Sequence, residues 1–133
     1  MKKIKETGIK SSEDVILARQ IAREMAKELG FGLADQTRIT TAVSELSRNI
    51  YLYAGTGRMV IKALSGNAGK GIEIVAEDNG PGIPDIEMVM QDGYSTGRGL
   101  GQGLPGTKRL MDEFEIRSKV GVGTIVTIRK WLK

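Results

Sequence analysis

The spacing of apolar residues changes at a run of small residues over 55–57, near the middle of this chain. From Val15 to that run, apolar side chains recur every three or four positions, which is typical of one face of a helix. After it they recur mostly every second position, which favours strands with one buried face. Helices followed by neighbouring strand pairs predict an α+β fold, a two-layer α/β sandwich with helices on one face of a mainly antiparallel (mixed) sheet.

The predicted elements run β-α-α-β-β-loop-α-β-β along the chain. Ser11 and the acids after it predict the start of a first helix, which Gly30 ends. Asp35 is expected to cap a second helix that runs to about Ala54. Strands are predicted over 2–10, 58–64, 71–76, 114–120 and 124–131, a hairpin loop over 65–70, a short helix over 85–91 and a further helix over 104–112. Residues 92–103 are rich in glycine without an apolar period, which predicts a mobile loop.

Composition narrows the kinds of site that the chain can build. Its 133 residues, expected to form one domain, include no cysteine and no histidine, which excludes thiolate ligands and imidazole chemistry. The net charge of +4 is spread out and aromatic residues are only 5%, so we expect an anionic ligand or acidic partner and no nucleic acid. No apolar run has the length of a membrane span or a signal peptide, so we expect a cytoplasmic protein with no membrane partner.

A first candidate site lies where a predicted strand ends, in the stretch Glu77-Asp78-Asn79-Gly80-Pro81-Gly82-Ile83-Pro84. A carboxylate at a strand end can be partly buried, and the two glycines allow the backbone to approach another group closely. Taken alone, the stretch is equally well explained as a turn with a solvated aspartate.

Glu45 and Asn49 are four residues apart on the second predicted helix, so they lie one above the other. On a helical wheel they fall within about 60° of the apolar stripe and not on the opposite face. Polar side chains at this margin can point into a cleft while the helix stays anchored. The alternative is a boundary pair that forms local hydrogen bonds or is solvated.

A second glycine-rich segment, GRGLGQGLPGTKR at 97–109, leads into a predicted helix. Backbone N–H groups in such a turn and at a helix start can bind an anion. The segment is not a Walker P-loop, because Gly-Lys-Ser/Thr is missing, nor a dinucleotide fingerprint, because no strand leads directly into it. The alternative is a surface loop whose glycines serve mobility alone.

In this order, the three features resemble the ATP-binding domain shared by DNA gyrase B, Hsp90, histidine kinases and the mismatch-repair ATPase MutL, the GHKL or Bergerat family. The matching positions are Glu45 and Asn49 with the N box, Asp78, Gly80 and Gly82 with the first glycine box, Gly99, Gly101, Gly103 and Leu104 with the second, and Gly123-Thr124 with the terminal Gly-Thr. The resemblance extends from the first helix to Trp131. It implies one Bergerat-type ATP-binding domain over 1–133, with a mobile lid.

Four segments narrow the resemblance to one branch of that family. The segments at 27–32, 38–55, 76–85 and 103–114 are similar to the small serine/threonine switch kinases of the bacterial stressosome, in the anti-sigma-factor kinase branch. Those proteins phosphorylate STAS-domain scaffold and antagonist proteins with ATP. Once released, they bind and activate a PP2C-type phosphatase in the stress response that leads to sigma-factor activation. The resemblance implies the same activity and partners here.

For the nucleoside, the resemblance implies that Asp78 accepts a hydrogen bond from the adenine amino group. Thr124 would assist through a water, and Gly80 and Gly82 would let the chain pass close to the adenine. The glycines would then be needed because a ligand approaches them.

For the phosphates, the resemblance implies that Asn49 coordinates Mg²⁺ through its amide oxygen. The resemblance also implies that the second glycine box binds ATP. The backbone amides of Gly99, Gly101, Gly103 and Leu104 would contact the phosphates as the lid closes. Glu45 would orient or deprotonate the attacking hydroxyl, since the chain has no histidine to act as the base. Two alternatives stay open, an anti-sigma factor and a non-catalytic, nucleotide-gated partner-switching module.

Overall fold

The computed structural model describes residues 3–67, 69–91 and 103–133. Their elements are β1 (Ile4–Ile9), α1 (Ser12–Leu29), α2 (Leu33–Asn49), a π-helical turn (Ile50–Ala54), β2 (Gly57–Gly66), β3 (Gly69–Asp78), α3 (Ile86–Val89), α4 (Gly103–Leu110), β4 (Glu113–Lys119) and β5 (Gly123–Trp131). The five strands form one sheet in the order β1-β2-β3-β5-β4, and every pairing is antiparallel. The predicted α+β class is confirmed. The predicted mobile loop over 92–103 lies outside the described residues except for Gly103.

One face of the sheet is covered by the helices. Apolar side chains that alternate along the strands are buried on this face, in one cluster with side chains of α1 and α2. The strand members of the cluster are Ile9, Met59, Ile61, Ile72, Ile74, Ala76, Val126 and Ile128. The core therefore lies in a single layer between sheet and helices, as the alternating pattern predicts.

The opposite face of the sheet carries ion pairs between neighbouring strands. Arg58 contacts Glu77 at 2.6 Å and Glu6 at 3.3 Å, and Arg129 contacts Glu73 at 2.7 Å and Glu113 at 2.9 Å. Opposite charges on adjacent strands stabilise a sheet face that is left in water, although each exposed pair contributes little.

The ends of α1 follow the prediction, whereas the start of α2 does not. The Ser11 side chain accepts from the Asp14 N–H, and Gly30, with φ of 102°, ends α1. The prediction that Asp35 caps α2 is wrong, because the helix begins earlier, after Gly32. Asp35 lies inside the first turn and pairs with Arg38 at 2.8 Å. An acid is favourable in a first turn even when it does not cap, because it interacts with the positive end of the helix dipole.

The second helix is predicted to run to about Ala54, and its last turn differs from that prediction. The α-helical part ends at Asn49, and residues Ile50–Ala54 form a wider π turn that Gly55 ends with φ of 86°. An added Cβ at Gly57 would lie 2.7 Å from Ile50 Cγ2. The glycine therefore lets the π turn rest directly on the first residue of β2.

The hairpin between β2 and β3 is tighter than the predicted loop over 65–70. Ser65 pairs with Lys70 and Gly66 with Gly69, so both strands extend into that segment. The segment is polar because it lies in water, and backbone pairing does not require apolar side chains there.

A buried lysine holds the end of α4. Lys130 lies on the helix-covered face of β5 with 8% of its surface exposed. Its Nζ donates to the Leu110 carbonyl at 2.9 Å, and Asp112 and Asp35 are within 4 Å of the ammonium. The cation therefore satisfies a carbonyl at the negative end of α4 and joins α4 to the sheet.

Across the described segments, no helix combines the length and the apolar character needed to span a membrane.

Ile74→Ala is expected to lower the free energy of unfolding by about 2–5 kcal/mol, because it opens a cavity in the centre of the core. Ile74 is fully buried on β3, whereas Val75 points to the other face and is only partly buried. Val75→Ala is therefore the matched control and should cost clearly less. Urea unfolding of both variants makes the comparison, and equal losses would contradict a core on one face only.

Candidate functional site

A row of polar side chains crosses the helix-covered face of the sheet at one end. Asp78, the last residue of β3, is paired in register with Thr124 on β5, and Thr124 is paired with Ser118 on β4. These residues continue the alternation that buries Ala76 and Val126. The core face of the sheet therefore ends in a carboxylate and two hydroxyls.

The Asp78 carboxylate is held by its own turn. Asp78 Oδ1 accepts from the Gly80 N–H at 2.9 Å, which fixes the side chain at the start of the loop over 79–84. Within the part of the chain that the structure describes, Oδ2 has no hydrogen-bond donor. One oxygen thus serves the loop, and the other is available as an acceptor.

The glycines of this loop are in close contact with protein. An added Cβ at Gly80 would lie 2.6 Å from Ala54 Cβ and 2.9 Å from Ala54 Cα. At Gly82, with φ of 80°, an added Cβ would lie within 3 Å of the backbone of Lys119 and Val120. Packing against the π turn and the β4–β5 turn therefore already requires both glycines, before any ligand is considered.

Further contacts attach the same loop to the β4–β5 turn. The Gly121 N–H donates to the Pro81 carbonyl at 2.9 Å, and the Ile83 N–H donates to Ser118 Oγ at 2.7 Å. Gly123 packs against the Asp78 carbonyl so closely that a side chain would collide with it. The loop after Asp78 is therefore attached on both sides.

The C-terminal end of α2 reaches this region through the π turn. Ile50 rests on Gly57 and Ala54 rests on Gly80, so the turn spans the starts of β2 and of the loop. Asn49, the last residue of α2, immediately precedes the π turn and is partly buried. Among the described residues, its side-chain amide has no hydrogen-bond partner, so its oxygen is available to a ligand.

Glu45 lies one helical turn before Asn49 and is more buried than its position at the stripe's edge suggests, with 7% of its surface exposed. Burial raises the pKa of the Glu45 carboxyl above its usual range, and the positive charge of Arg48 partly opposes this shift. Its carboxylate makes no hydrogen bond or ion pair within the described ranges. A carboxyl with these properties is suited to accepting a proton.

Only the end of the second glycine box lies in the described part of the chain. Gly99 and Gly101 are outside it, whereas Gly103, with φ of 68°, is the first residue of α4. Leu104 packs against the core, and the buried Thr107 hydroxyl donates to the Gly103 carbonyl at 3.1 Å. The helix that follows the predicted lid is therefore anchored at its first turn.

Sequence reasoning missed Ser118. Its hydroxyl contacts the Ile83 N–H, the Thr124 hydroxyl at 2.8 Å and the Gly123 carbonyl at 3.1 Å. The alternation of β4, combined with hairpin pairing around the turn at 120–122, is a signal that puts Ser118 opposite Thr124. The contact with the Ile83 N–H joins residues that are 35 positions apart, and no sequence pattern predicts it.

Residues 34–133 match the family described as histidine kinase-, DNA gyrase B- and HSP90-like ATPase. The match covers most of the chain, and the polar row, the glycine contacts and the α2 end all lie within it. The chain belongs to this ATPase family.

Within the family, relatives place the chain in one branch. It is 60% identical over 120 residues to the serine/threonine-protein kinase RsbT of Bacillus subtilis (strain 168), and the alignment covers 90% of each chain. It is 33% identical over 131 residues to the anti-sigma F factor of Thermoanaerobacter sp. (strain X514), covering 93% of this chain and 90% of that protein. The predicted resemblance to the switch-kinase branch is confirmed, and by class the chain is a serine/threonine protein kinase.

Solved structures support the fold. A structure of the RsbU and RsbW domains of a Mycobacterium tuberculosis protein aligns with a TM-score of 0.65 at 20% identity, over 96% of this chain and 32% of that longer one. The mycobacterial sensor histidine kinase MprB aligns with a TM-score of 0.55 at 18% identity, over 96% of this chain and 97% of that one. The predicted Bergerat-type fold is confirmed.

Gly80→Ala is expected to lower the free energy of unfolding by about 1–3 kcal/mol in the absence of nucleotide, because the new methyl overlaps Ala54. Ala54→Gly in the same chain should restore part of the loss. Gly66→Ala is the matched control, since an added Cβ there meets nothing within 4 Å. If Gly80→Ala left the nucleotide-free protein as stable as the control, the glycine would serve a ligand and not packing.

Proposed function

We propose that this protein kinase transfers the γ-phosphoryl group of ATP to a serine or threonine hydroxyl of a STAS-domain stressosome protein. When released from that complex, it binds and activates a PP2C-type phosphatase, and this partner switching takes place in the cytoplasm. The observation that carries the proposal is Glu45, a buried carboxyl with no hydrogen bond or ion pair in the described ranges, one turn before Asn49 on the ATP-binding scaffold of the family. A buried carboxyl at this position is suited to accepting the proton of an attacking hydroxyl.

The nucleoside end of the proposed site is the polar row. The Gly80 N–H donates to Asp78 Oδ1, so Asp78 Oδ2 would accept the hydrogen bond from the adenine amino group. Thr124, its neighbour in register, would take part through a water. Gly80 and Gly82 would contribute by holding this loop in place, because their close contacts are to Ala54 and to the β4–β5 turn.

The phosphate end would lie at Asn49, the second glycine box and Mg²⁺. The described residues contain no group of three or more acidic side chains able to enclose a metal. The residue that would hold Mg²⁺ is Asn49, through its amide oxygen, since oxygen atoms are the ligands that this ion prefers. When bound, Mg²⁺ would neutralise charge on the phosphates. Gly99, Gly101, Gly103 and Leu104 would add backbone amides that contact the phosphates.

In the transfer step, the acceptor hydroxyl oxygen bonds to the γ-phosphorus, the bond from that phosphorus to the β–γ bridging oxygen breaks, and ADP leaves. The hydroxyl proton passes to Glu45. Because burial raises the pKa of Glu45, its carboxylate is a stronger base than an exposed one. Most of the rate would still come from positioning and charge stabilisation, as in phosphoryl transfer generally.

A second candidate is supported by the anti-sigma F factors among the relatives. In that case the chain would bind a sigma factor directly. Radiolabelled ATP mixed with a purified STAS-domain protein, together with a pull-down against a sigma factor, separates the two. Label on the STAS protein supports the kinase, whereas sigma-factor capture without transfer supports the alternative.

Asp78→Asn is expected to weaken ATP binding by more than about tenfold, or 1.4 kcal/mol. The amide can keep the Gly80 hydrogen bond through its oxygen, so its NH₂ group, a donor, replaces the acceptor that faces the adenine. Titration calorimetry with ATP makes the measurement. Glu77→Gln, the adjacent residue on the opposite face, is the control, and an Asp78→Asn affinity within about twofold of wild type would overturn the adenine assignment.

Glu45→Gln should keep ATP affinity and slow transfer to the STAS protein by about 10²-fold, because the amide cannot accept the proton. The wild-type rate should fall as pH drops through the raised pKa of Glu45, since the protonated carboxyl is no longer a base. This fall should begin at a higher pH than for an exposed glutamate and be absent in the variant. The exposed Glu115→Gln is the matched control, and unchanged transfer in Glu45→Gln would remove Glu45 as the base.

A further inference from the structure

The Ser118 hydroxyl has three polar neighbours, and two of them allow only one direction of hydrogen bonding. The Ile83 N–H, at 2.7 Å, can only donate, and the Gly123 carbonyl, at 3.1 Å, can only accept. The third neighbour is the Thr124 hydroxyl at 2.8 Å, which is able to do either. A hydroxyl has one proton to donate and two lone pairs to accept with, so all three contacts are used.

This inventory determines the direction of the contact with Thr124. Ser118 donates its one hydrogen bond to the Gly123 carbonyl and accepts a hydrogen bond from the Ile83 N–H. Its remaining lone pair can only accept, so Thr124 must be the donor in the 2.8 Å contact. The reverse direction would leave the Ser118 and Gly123 oxygens facing each other without a proton between them.

Because the Thr124 hydroxyl donates its hydrogen bond to Ser118, it can act only as an acceptor toward any other partner. Its neighbour in register, Asp78, is also an acceptor when ionised. The two side chains therefore form an edge of acceptors, which favours a group or a water that donates two protons. A water between the two side chains would donate one proton to each of them and present only lone pairs to the base. A keto oxygen at the same place would then meet lone pairs on both sides and lose its hydrogen bonds.

We propose that Ser118 is a positioning residue for nucleobase selection: by fixing the proton of Thr124, it makes this edge accept an amino group and reject a keto group. The inference rests on the proposed adenine site at Asp78 and adds the residue that orients its neighbour. Ser118 itself acts through Thr124.

Ser118 also supports the loop over 79–84, so its two roles must be separated. A second hydrogen bond, from the Gly121 N–H to the Pro81 carbonyl at 2.9 Å, attaches this loop to the β4–β5 turn independently of Ser118. Loss of the support alone would weaken the binding of every purine nucleotide by a similar factor. Loss of the fixed proton would instead change the ratio between an amino-bearing and a keto-bearing purine.

The experiment measures the dissociation constants of ATP and inosine triphosphate, which carries a keto group in place of the amino group. In Ser118→Ala, the Thr124 hydroxyl is free to rotate and donate to the bridging water, which frees a proton of that water for the keto oxygen. The preference for ATP should therefore fall about three- to tenfold relative to wild type, the range that one hydrogen bond contributes. Ser118→Thr retains the hydroxyl and should keep the wild-type ratio.

Thr124→Val provides a second route, since it removes the oriented acceptor without touching Ser118. It should lower the ATP preference by a similar factor, and adding Ser118→Ala to it should change the ratio no further, because both act through one hydrogen bond. Thr127→Val is the matched control, because Thr127 lies on the opposite face of β5. It should leave both dissociation constants as they are in wild type.

An unchanged ratio in either Ser118→Ala or Thr124→Val would overturn the proposal, as would additive effects in the double variant. If Ser118→Ala does not fold, Thr124→Val alone decides. Failure of the proposed function looks different, since wild type would then bind neither nucleotide, or Asp78→Asn would bind ATP as well as wild type. If wild type prefers ATP and the variants keep the same preference, only the proposed role of Ser118 is overturned.

Discussion

The close approach of three backbone segments at one end of the sheet is the constraint on which the rest of this structure depends. The loop after Asp78 passes against the π turn at Gly80 and against the β4–β5 turn at Gly82. Gly123 in turn packs on the carbonyl of Asp78. Side chains at these points would separate the segments, so the glycines determine that the α2 end, the acid and the hairpin meet. A glycine-rich motif whose pattern predicts a ligand site is thus also required by the fold itself.

Glu45 is tolerated in the fold at a cost. Burial of an ionisable side chain without a partner is unfavourable, and the raised pKa of this carboxyl expresses that cost. An apolar residue at the same point of α2 would pack without it. The arrangement is consistent with the proposed function, in which a helix anchored by its apolar stripe would hold a base close to a nucleotide. Asn49, one turn later and also without a described partner, fits the same interpretation.

The order and type of the elements followed from the sequence, because apolar periods and cap residues are local signals. Ser11 and Gly30 act at the ends of α1 as their chemistry predicts. Asp35 was wrongly expected to be a cap, because an acid fits the first turn of a helix as well as its cap. No local sequence signal predicts the widening of α2 into a π turn. It is associated with the contact between Ile50 and Gly57, which comes from the fold.

By itself, the sequence determined the α+β architecture, the family and the candidate residues Glu45, Asn49 and Asp78. These follow from apolar periods and from the order and spacing of the N box and the glycine boxes, which can be read along the chain without coordinates. Only the tertiary structure decided that Glu45 is buried with a raised pKa, that Gly80 packs against Ala54, and that the Ser118 and Thr124 hydroxyls are in hydrogen-bond contact. The physical reason is distance along the chain. Burial and hydrogen-bond direction depend on atoms that folding brings together from segments far apart in sequence, and no local pattern records which atoms those will be.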